Sequence, residues 1–325
     1  MPSPIESPPS ERLTLRRAFA DLGPQQFANG TIGFIFAATG PVAIVLSAAR
    51  KGGLSDDAIA SWLFGCFLVN GLITLAMTWA YRRPLSFFWT IPGTVLAGQA
   101  LTHLSFPQVV GAFYASSLLI VALGATGLAR RALDWVPMPI VMGMVAGVFL
   151  RFGLDLVRAL HGDPLLAWAM VATFLALSFS QRVARVAPPI LGALVVGVAL
   201  SLATQRLDAQ ALGALAVARP AFAAPVFSLQ AMVELVVPLA ITVLVVQNAQ
   251  GFAILQAAGH APPANAVTLA CGVGGLLSAA VGAVGTCLTG PTNAIIVSSG
   301  DRERHYAGAL VTGALAVLFG IFSPT

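Results

Sequence analysis

The chain has 325 residues, 58% of them hydrophobic and only 9% charged, with a formal net charge of +5. Soluble domains carry about 25% charged residues, so there are too few here to coat a water-exposed surface, and a single soluble core stops growing near ~300 residues. The apolar residues come in long blocks with basic residues in short loops between them, which makes the positive charge a topology signal rather than a nucleic-acid footprint and gives an all-α membrane protein.

Residues 1–26 are polar, rich in Pro, Ser, Glu and Arg, and read as a short cytoplasmic tail before an uncleaved first span. A span needs about 20 apolar residues. On that criterion eleven segments follow: 27–49, 61–80, 86–104, 108–128, 138–157, 164–180, 187–204, 229–249, 264–284, 286–300 and 306–323. The mixed stretch 205–228 reads as a short helix at the membrane surface. With the N-terminus inside, eleven basic residues fall in inner segments (among them Arg82, Arg83, Arg130, Arg131, Arg302 and Arg304) and five in outer ones (Arg50, Lys51, Arg158, Arg206, Arg219). That bias sets the orientation of a multi-pass protein in a bacterial inner membrane. The last span runs out at Phe319–Thr325 with no tail and no basic anchor, which gives the expectation of a chain shorter than its full-length relatives.

Two spans break the helix rule. Residues 86–99 carry Pro92-Gly93 near their middle, and residues 285–296 carry Gly290-Pro291. Each predicts a short extended stretch followed by a half-helix. Lipid cannot satisfy non-helical backbone, so such segments must be buried in protein or line a polar cavity. A pair of Gly/Pro-interrupted spans in the two halves of a chain points to a transporter site, and half-helix N-termini favour an anion. The first span carries a similar Thr39-Gly40-Pro41. The span at 229–249 ends in Gln247-Asn248-Ala249-Gln250. Amides there serve either as an interfacial cap or as neutral donors to a buried carboxylate, and the residues alone leave both open.

Only Asp155 and Glu234 among the acids fall within spans. Asp155 lies beside Arg151 and Arg158, which predicts a local ion pair. Glu234 is the one candidate for proton coupling, with an interfacial position as the competing reading; His103 reads as interfacial. Gly143-x-x-x-Gly147 and Gly274-x-x-x-Ser278 are small-residue pairs that let helices approach. Cys66, Cys271 and Cys287 read as packing residues. No nucleotide-binding loop, metal-ligand set or nucleophile elbow is present, so the expectation is no cofactor, no metal and no enzymatic activity.

Thr39-Gly40-Pro41-Val42-Ala43-Ile44-Val45, Tyr81-Arg82-Arg83-Pro84 ahead of Trp89-Thr90-Ile91-Pro92-Gly93, Gln247-Asn248 followed by Gly251, and Ala257–Pro263 together resemble the benzoate:proton symporter family over essentially the whole chain. That family is similar in fold to the nucleobase, ascorbate and sulfate transporters. The resemblance implies an inverted-repeat secondary transporter of two seven-span repeats. Spans 1–4 (27–128) and 8–11 (229–323) would form a core domain and spans 5–7 (138–204) part of a gate domain, with spans 12–14 apparently missing. It places the substrate between the third and tenth spans. Nucleobase transporters of this fold carry a Glu where Gln247 stands, and an amide can donate to an anion that a carboxylate would repel. The implied function is proton-coupled import of benzoate or a similar aromatic carboxylate. Thr39, Gly40, Thr90, Pro92, Gly93, Thr94, Gln247, Asn248, Thr289, Gly290 and Thr292 are the expected binding residues. The expected partners are a small organic anion, protons, the lipid bilayer and a second copy in a homodimer, with no nucleic acid. Transport of another anion or a nucleobase, and a truncated chain that transports nothing, are the alternatives.

Overall fold

A computed structural model describes residues 5–128, 143, 150, 153–179, 189–204, 217–298 and 300–322. Most of the 138–157 span and the first part of the 205–228 stretch lie outside the described residues; 217–228 has no regular secondary structure.

A short amphipathic turn, α1 (Leu15–Asp21), precedes α2 (Pro24–Ala38) and α3 (Gly40–Lys51). Thr39 separates the last two at φ −109°, ψ −95°, and its hydroxyl donates to Phe36 O at 3.1 Å. Pro41 has no N–H to continue the ladder, so the first span is a helix broken in its middle. Next come α4 (Asp56–Tyr81), which contains a π turn at Gly65–Val69, then β1 (Phe87–Trp89), α5 (Ile91–Ala100) and α6 (Phe106–Ala125). Residues 153–162 are helical, followed by α7 (Pro164–Ser178) and α8 (Pro189–Ala203). The long α9 (Leu229–Ala257) has two π segments, Met232–Val236 and Thr242–Asn248. Then follow α10 (Ala264–Ala280), β2 (Thr286–Leu288), α11 (Gly290–Ile296) and α12 (His305–Ile321).

Among the described residues, five helical segments are long and apolar enough to cross a membrane: Pro24–Lys51, Asp56–Tyr81, Phe106–Ala125, Leu229–Ala257 and Arg302–Ile321. Shorter apolar helices accompany them at α7, α8 and α10. With lipid as apolar as leucine, close packing drives their association, and small residues supply it. A Cβ on Gly272 of α10 would sit 2.6 Å from Val121 N of α6, and one on Gly320 of α12 would sit 2.6 Å from Leu68 N of α4. Large side chains such as Leu165, Trp168, Leu175 and Val195 on α7 and α8 point outward, as a lipid-facing surface requires. The two helices pack chiefly on each other, and α8 also touches α2. Arg158 pairs with Asp155 at 2.9 Å, a local contact three residues apart.

The interior is organised by a two-stranded antiparallel ribbon. Phe87 pairs with Leu288, Phe88 with Cys287 and Trp89 with Thr286, and all six residues are buried. Two further bonds extend it: Thr90 N donates to Gly285 O at 3.0 Å, and Thr289 N donates to Ser86 O at 3.2 Å. The extended backbone inside the bundle therefore satisfies itself across the two halves of the chain.

The tail is docked on one end of the bundle. The Glu6 carboxylate accepts from Asn265 N at 3.1 Å and Ala266 N at 3.0 Å, which satisfies the first turn of α10. Tyr81 Oη donates to Glu6 O at 2.7 Å, and Glu11 bridges Arg17 and Arg82 at 3.0 and 2.6 Å. Those two guanidiniums hold the Glu11 carboxyl below the ordinary carboxylate range, the Arg82 bond contributing most.

Candidate functional site

Because the ribbon is antiparallel, its two strands run out into helices in opposite directions. α5 starts beyond Trp89 and α11 starts beyond Leu288 at the other end. The N-termini of both helices thus face the ribbon. Their first-turn N–H groups and positive dipole ends lie near one another in the protein interior. Pro92 and Pro291 each occupy the first turn, where a missing N–H costs nothing.

Against this ribbon lies a crevice whose free space, including the part open to solvent, is about 280 Å³. Its apolar wall is Phe36, Phe88, Trp89 and Ile91 with Ala37 and Pro41; its polar edge is Gln247, Thr289 and Thr292 beside Pro291. None of these residues is charged. Gln247 is 5% exposed, and its carboxamide makes no hydrogen bond among the described residues. At the crevice edge the carboxamide is placed to meet a ligand or water.

The other expected residues divide into two groups. Thr90 is buried, caps α5 by accepting from Gly93 N at 3.2 Å, and donates to Thr242 Oγ1 of α9 at 3.1 Å. Thr94 donates back to Thr90 O at 2.9 Å. Gly93 sits so close to Thr90 and Thr242 that a Cβ there would lie 3.1 Å from Thr242 Oγ1. Thr90, Gly93 and Thr94 therefore shape the start of α5, and neither they nor Pro92 lines the crevice. Asn248 faces β2: its Oδ1 accepts from Leu288 N at 2.8 Å and its amide contacts Cys271 Sγ at 3.5 Å. Gly290 is covered by the Gln250 side chain. Thr39 and Gly40 are exposed at the break in the first span, while Phe36, Ala37 and Pro41 on either side line the crevice.

Sequence reasoning missed several residues. Asn293 locks the ribbon to α11 by accepting from Ser86 N at 3.1 Å and donating to Ser86 O at 3.0 Å and Thr289 O at 2.7 Å. Phe36, Phe88 and Trp89 supply the aromatic wall; their placement beside Thr-Gly-Pro and Ile-Pro-Gly breaks was the available signal. Glu234 does not line the crevice. It bonds His103, with Nε2 2.9 Å from Oε1. Among the described residues no group of three or more His, Cys, Asp or Glu could hold a metal ion.

The family profile described as benzoate membrane transport protein matches residues 20–325. The chain belongs to the benzoate membrane transport protein family. Members of this family are membrane transporters rather than enzymes. The benzoate membrane transport protein of Acinetobacter baylyi is 28% identical over 298 residues, covering 90% of this chain and 74% of that one. The inner membrane protein YdcO of Escherichia coli is 28% identical over 303 residues, covering 92% of this chain and 76% of that one. Among solved structures, the transmembrane domain of the cyanobacterial bicarbonate transporter BicA superposes with a TM-score of 0.54 at 17% identity, over 95% of this chain and 83% of that domain. Membership of the family and this neighbour agree on a multi-pass membrane transporter with the fold of a transporter transmembrane domain.

Proposed function

We propose that this protein imports benzoate or a similar aromatic carboxylate across a bacterial inner membrane by proton symport, with its N-terminal tail in the cytoplasm. The observation that carries the reading is Gln247, whose carboxamide has no hydrogen-bond partner among the described residues and stands at the edge of an aromatic-walled crevice lined by no charged side chain. An aromatic ring fills the wall of Phe36, Phe88 and Trp89. Its carboxylate takes a hydrogen bond from the Gln247 amide and the favourable dipole ends of α5 and α11. The neutral amide neither repels the anion nor ties it down by an ion pair, which suits a site that must release its cargo. The family and the printed name of the Acinetobacter baylyi relative support benzoate as the substrate.

In this reading the spans belong to two inverted repeats. The ribbon, α5 and α11 sit in a core domain that moves against a gate domain holding α7 and α8. Glu234, bonded to His103, carries the coupling proton.

The test is uptake of radiolabelled benzoate into vesicles holding the purified chain, with and without an inward proton gradient. Gradient-dependent uptake is expected. Gln247→Glu puts a carboxylate beside the anion and is expected to lower benzoate affinity by at least ~10-fold, since two like charges about 4 Å apart repel by several kcal/mol at intermediate dielectric. Gradient-independent or absent uptake, or a Gln247→Glu protein of unchanged affinity, defeats the reading.

A further inference from the structure

Three amides stand in a row near the middle of α9, at Gln247, Asn248 and Gln250, and the structure employs only one of them in the fold. Asn248 holds β2 through Leu288 N. Gln247 and Gln250 are 5% and 6% exposed, and neither carboxamide has a hydrogen-bond partner among the described residues. They lie three residues apart, offset by about 4.5 Å along the helix. Gln247 lines the crevice. Gln250 lies beyond it, flat against Gly290, where a Cβ would come within 2.5 Å of its Cδ and Cγ. The neighbours of Gly290, Thr289 and Pro291, both line the crevice, so Gln250 sits directly behind that wall.

From Gln247 to Gln250 the helix runs toward the end of the bundle that holds the docked tail. α9 ends at Ala257, and the loop beyond it carries His260, whose Nε2 is 3.1 Å from His305 Nδ1; the next helix, α10, begins where Glu6 caps it. One unpaired buried amide is a binding group. A second, three residues further along the helix and toward the tail end, marks a direction of travel.

We infer that Gln250 is a second station for the carboxylate, accepting it from Gln247 as the substrate leaves the crevice toward the tail side. This rests on the benzoate-transport reading above. Both stations offer a neutral donor, so the anion exchanges one hydrogen bond for an equivalent one and meets no deep well between them. Gly290 is the residue that permits it, since any side chain there would collide with the Gln250 carboxamide and close the route.

The experiment compares wild type, Gln247→Met and Gln250→Met, because Met keeps the length of Gln and removes both hydrogen-bonding atoms. Equilibrium benzoate binding, gradient-driven benzoate uptake and the thermal midpoint are measured on each full-length protein. A hydrogen bond to a charged group corresponds to at least about a tenfold effect. Gln247→Met is therefore expected to weaken binding by ~10-fold, whereas Gln250→Met leaves binding within about twofold and lowers uptake by ~10-fold. A same-size variant, Gln250→Glu, is expected to stop uptake as well, and it answers the question if the Met protein has a lowered midpoint. The proposal is overturned if both Gln250 variants take up benzoate within about twofold of wild type, or if Gln250→Met loses binding as strongly as Gln247→Met. Should wild type itself bind no benzoate, the transport reading fails and takes this inference with it. Loss of binding in Gln247→Met alone, with normal uptake by the Gln250 variants, removes only the second station.

Discussion

Nε2 of His103 lies 2.9 Å from Oε1 and 3.0 Å from Oε2 of Glu234, joining the turn after α5 to the first π segment of α9 across 131 residues of sequence. Both side chains are partly exposed. The pair sits at the far end of α5 from the crevice, because α5 begins at the ribbon and His103 follows its last turn. Breaking it frees the outer end of a helix whose inner end forms the site. Glu234→Gln and His103→Gln are therefore expected to keep benzoate binding within about twofold and to lower gradient-driven uptake by at least ~10-fold. Uptake that keeps its full dependence on the gradient in both variants removes the pair from the coupling step.

Glycines at Gly30 and Gly40 make a contrasting pair in the first span. A Cβ on Gly30 would sit 2.7 Å from Val311 Cβ and closer still to Gly308 O, at the place where Thr312 Oγ1 donates to Gly30 O at 2.8 Å. A Cβ on Gly40 meets nothing within 4 Å. Overpacking costs about 1–3 kcal/mol, so Gly30→Ala is expected to lower the thermal midpoint by separating α2 from α12. Gly40 begins a helix at negative φ, where alanine is favoured by up to about 1 kcal/mol. Gly40→Ala is expected to hold or raise the midpoint. Equal midpoints for the two variants would contradict the packing described here.

His260 supplies a pH dependence. Burial, reinforced by the charge of His305, Arg83 and Arg302, lowers its pKa to about 4 from an ordinary value of 6.5. The folded state therefore resists protonation where the unfolded chain accepts it. Stability is fully present above pH 6.5 and is lost as pH falls toward 4, by an amount on the order of 2 kcal/mol at pH 5. Thermal midpoints measured from pH 7.5 to 5 are expected to fall, and His260→Gln is expected to flatten that slope. A slope unchanged in His260→Gln would assign the acid sensitivity to other groups.

Several features of the architecture are legible in the sequence alone. Pro92-Gly93 and Gly290-Pro291 marked where helices start, because proline lacks the N–H that a helix interior needs and is free to sit in a first turn. The Asp155–Arg158 contact was legible for a similar reason: three residues apart on one helix, the two side chains are neighbours whatever the rest of the chain does. Local rules of this kind act within one turn, and sequence displays them directly.

The site was less legible. Thr39 and Gly40 looked like binding residues, yet the break they make leaves them exposed and turns Phe36 and Pro41 inward. The three amides of α9 looked alike; one faces β2, one the crevice and one Gly290. The π segment Thr242–Asn248 widens the turn there, so face assignments by ordinary 3.6-residue spacing slip along it.

By itself, the sequence determined that this chain lives in a membrane and where its backbone departs from helix, since both follow from composition and from residues adjacent in the chain. Only the tertiary structure decided which distant residues meet. The pairing of Phe87 with Leu288, the wall that Phe36 makes with Trp89, and the bond from His103 to Glu234 each join positions far apart in sequence. They are set by how whole helices pack through their glycines and by the need of buried extended backbone to find its partners, and neither condition is visible until the chain is folded.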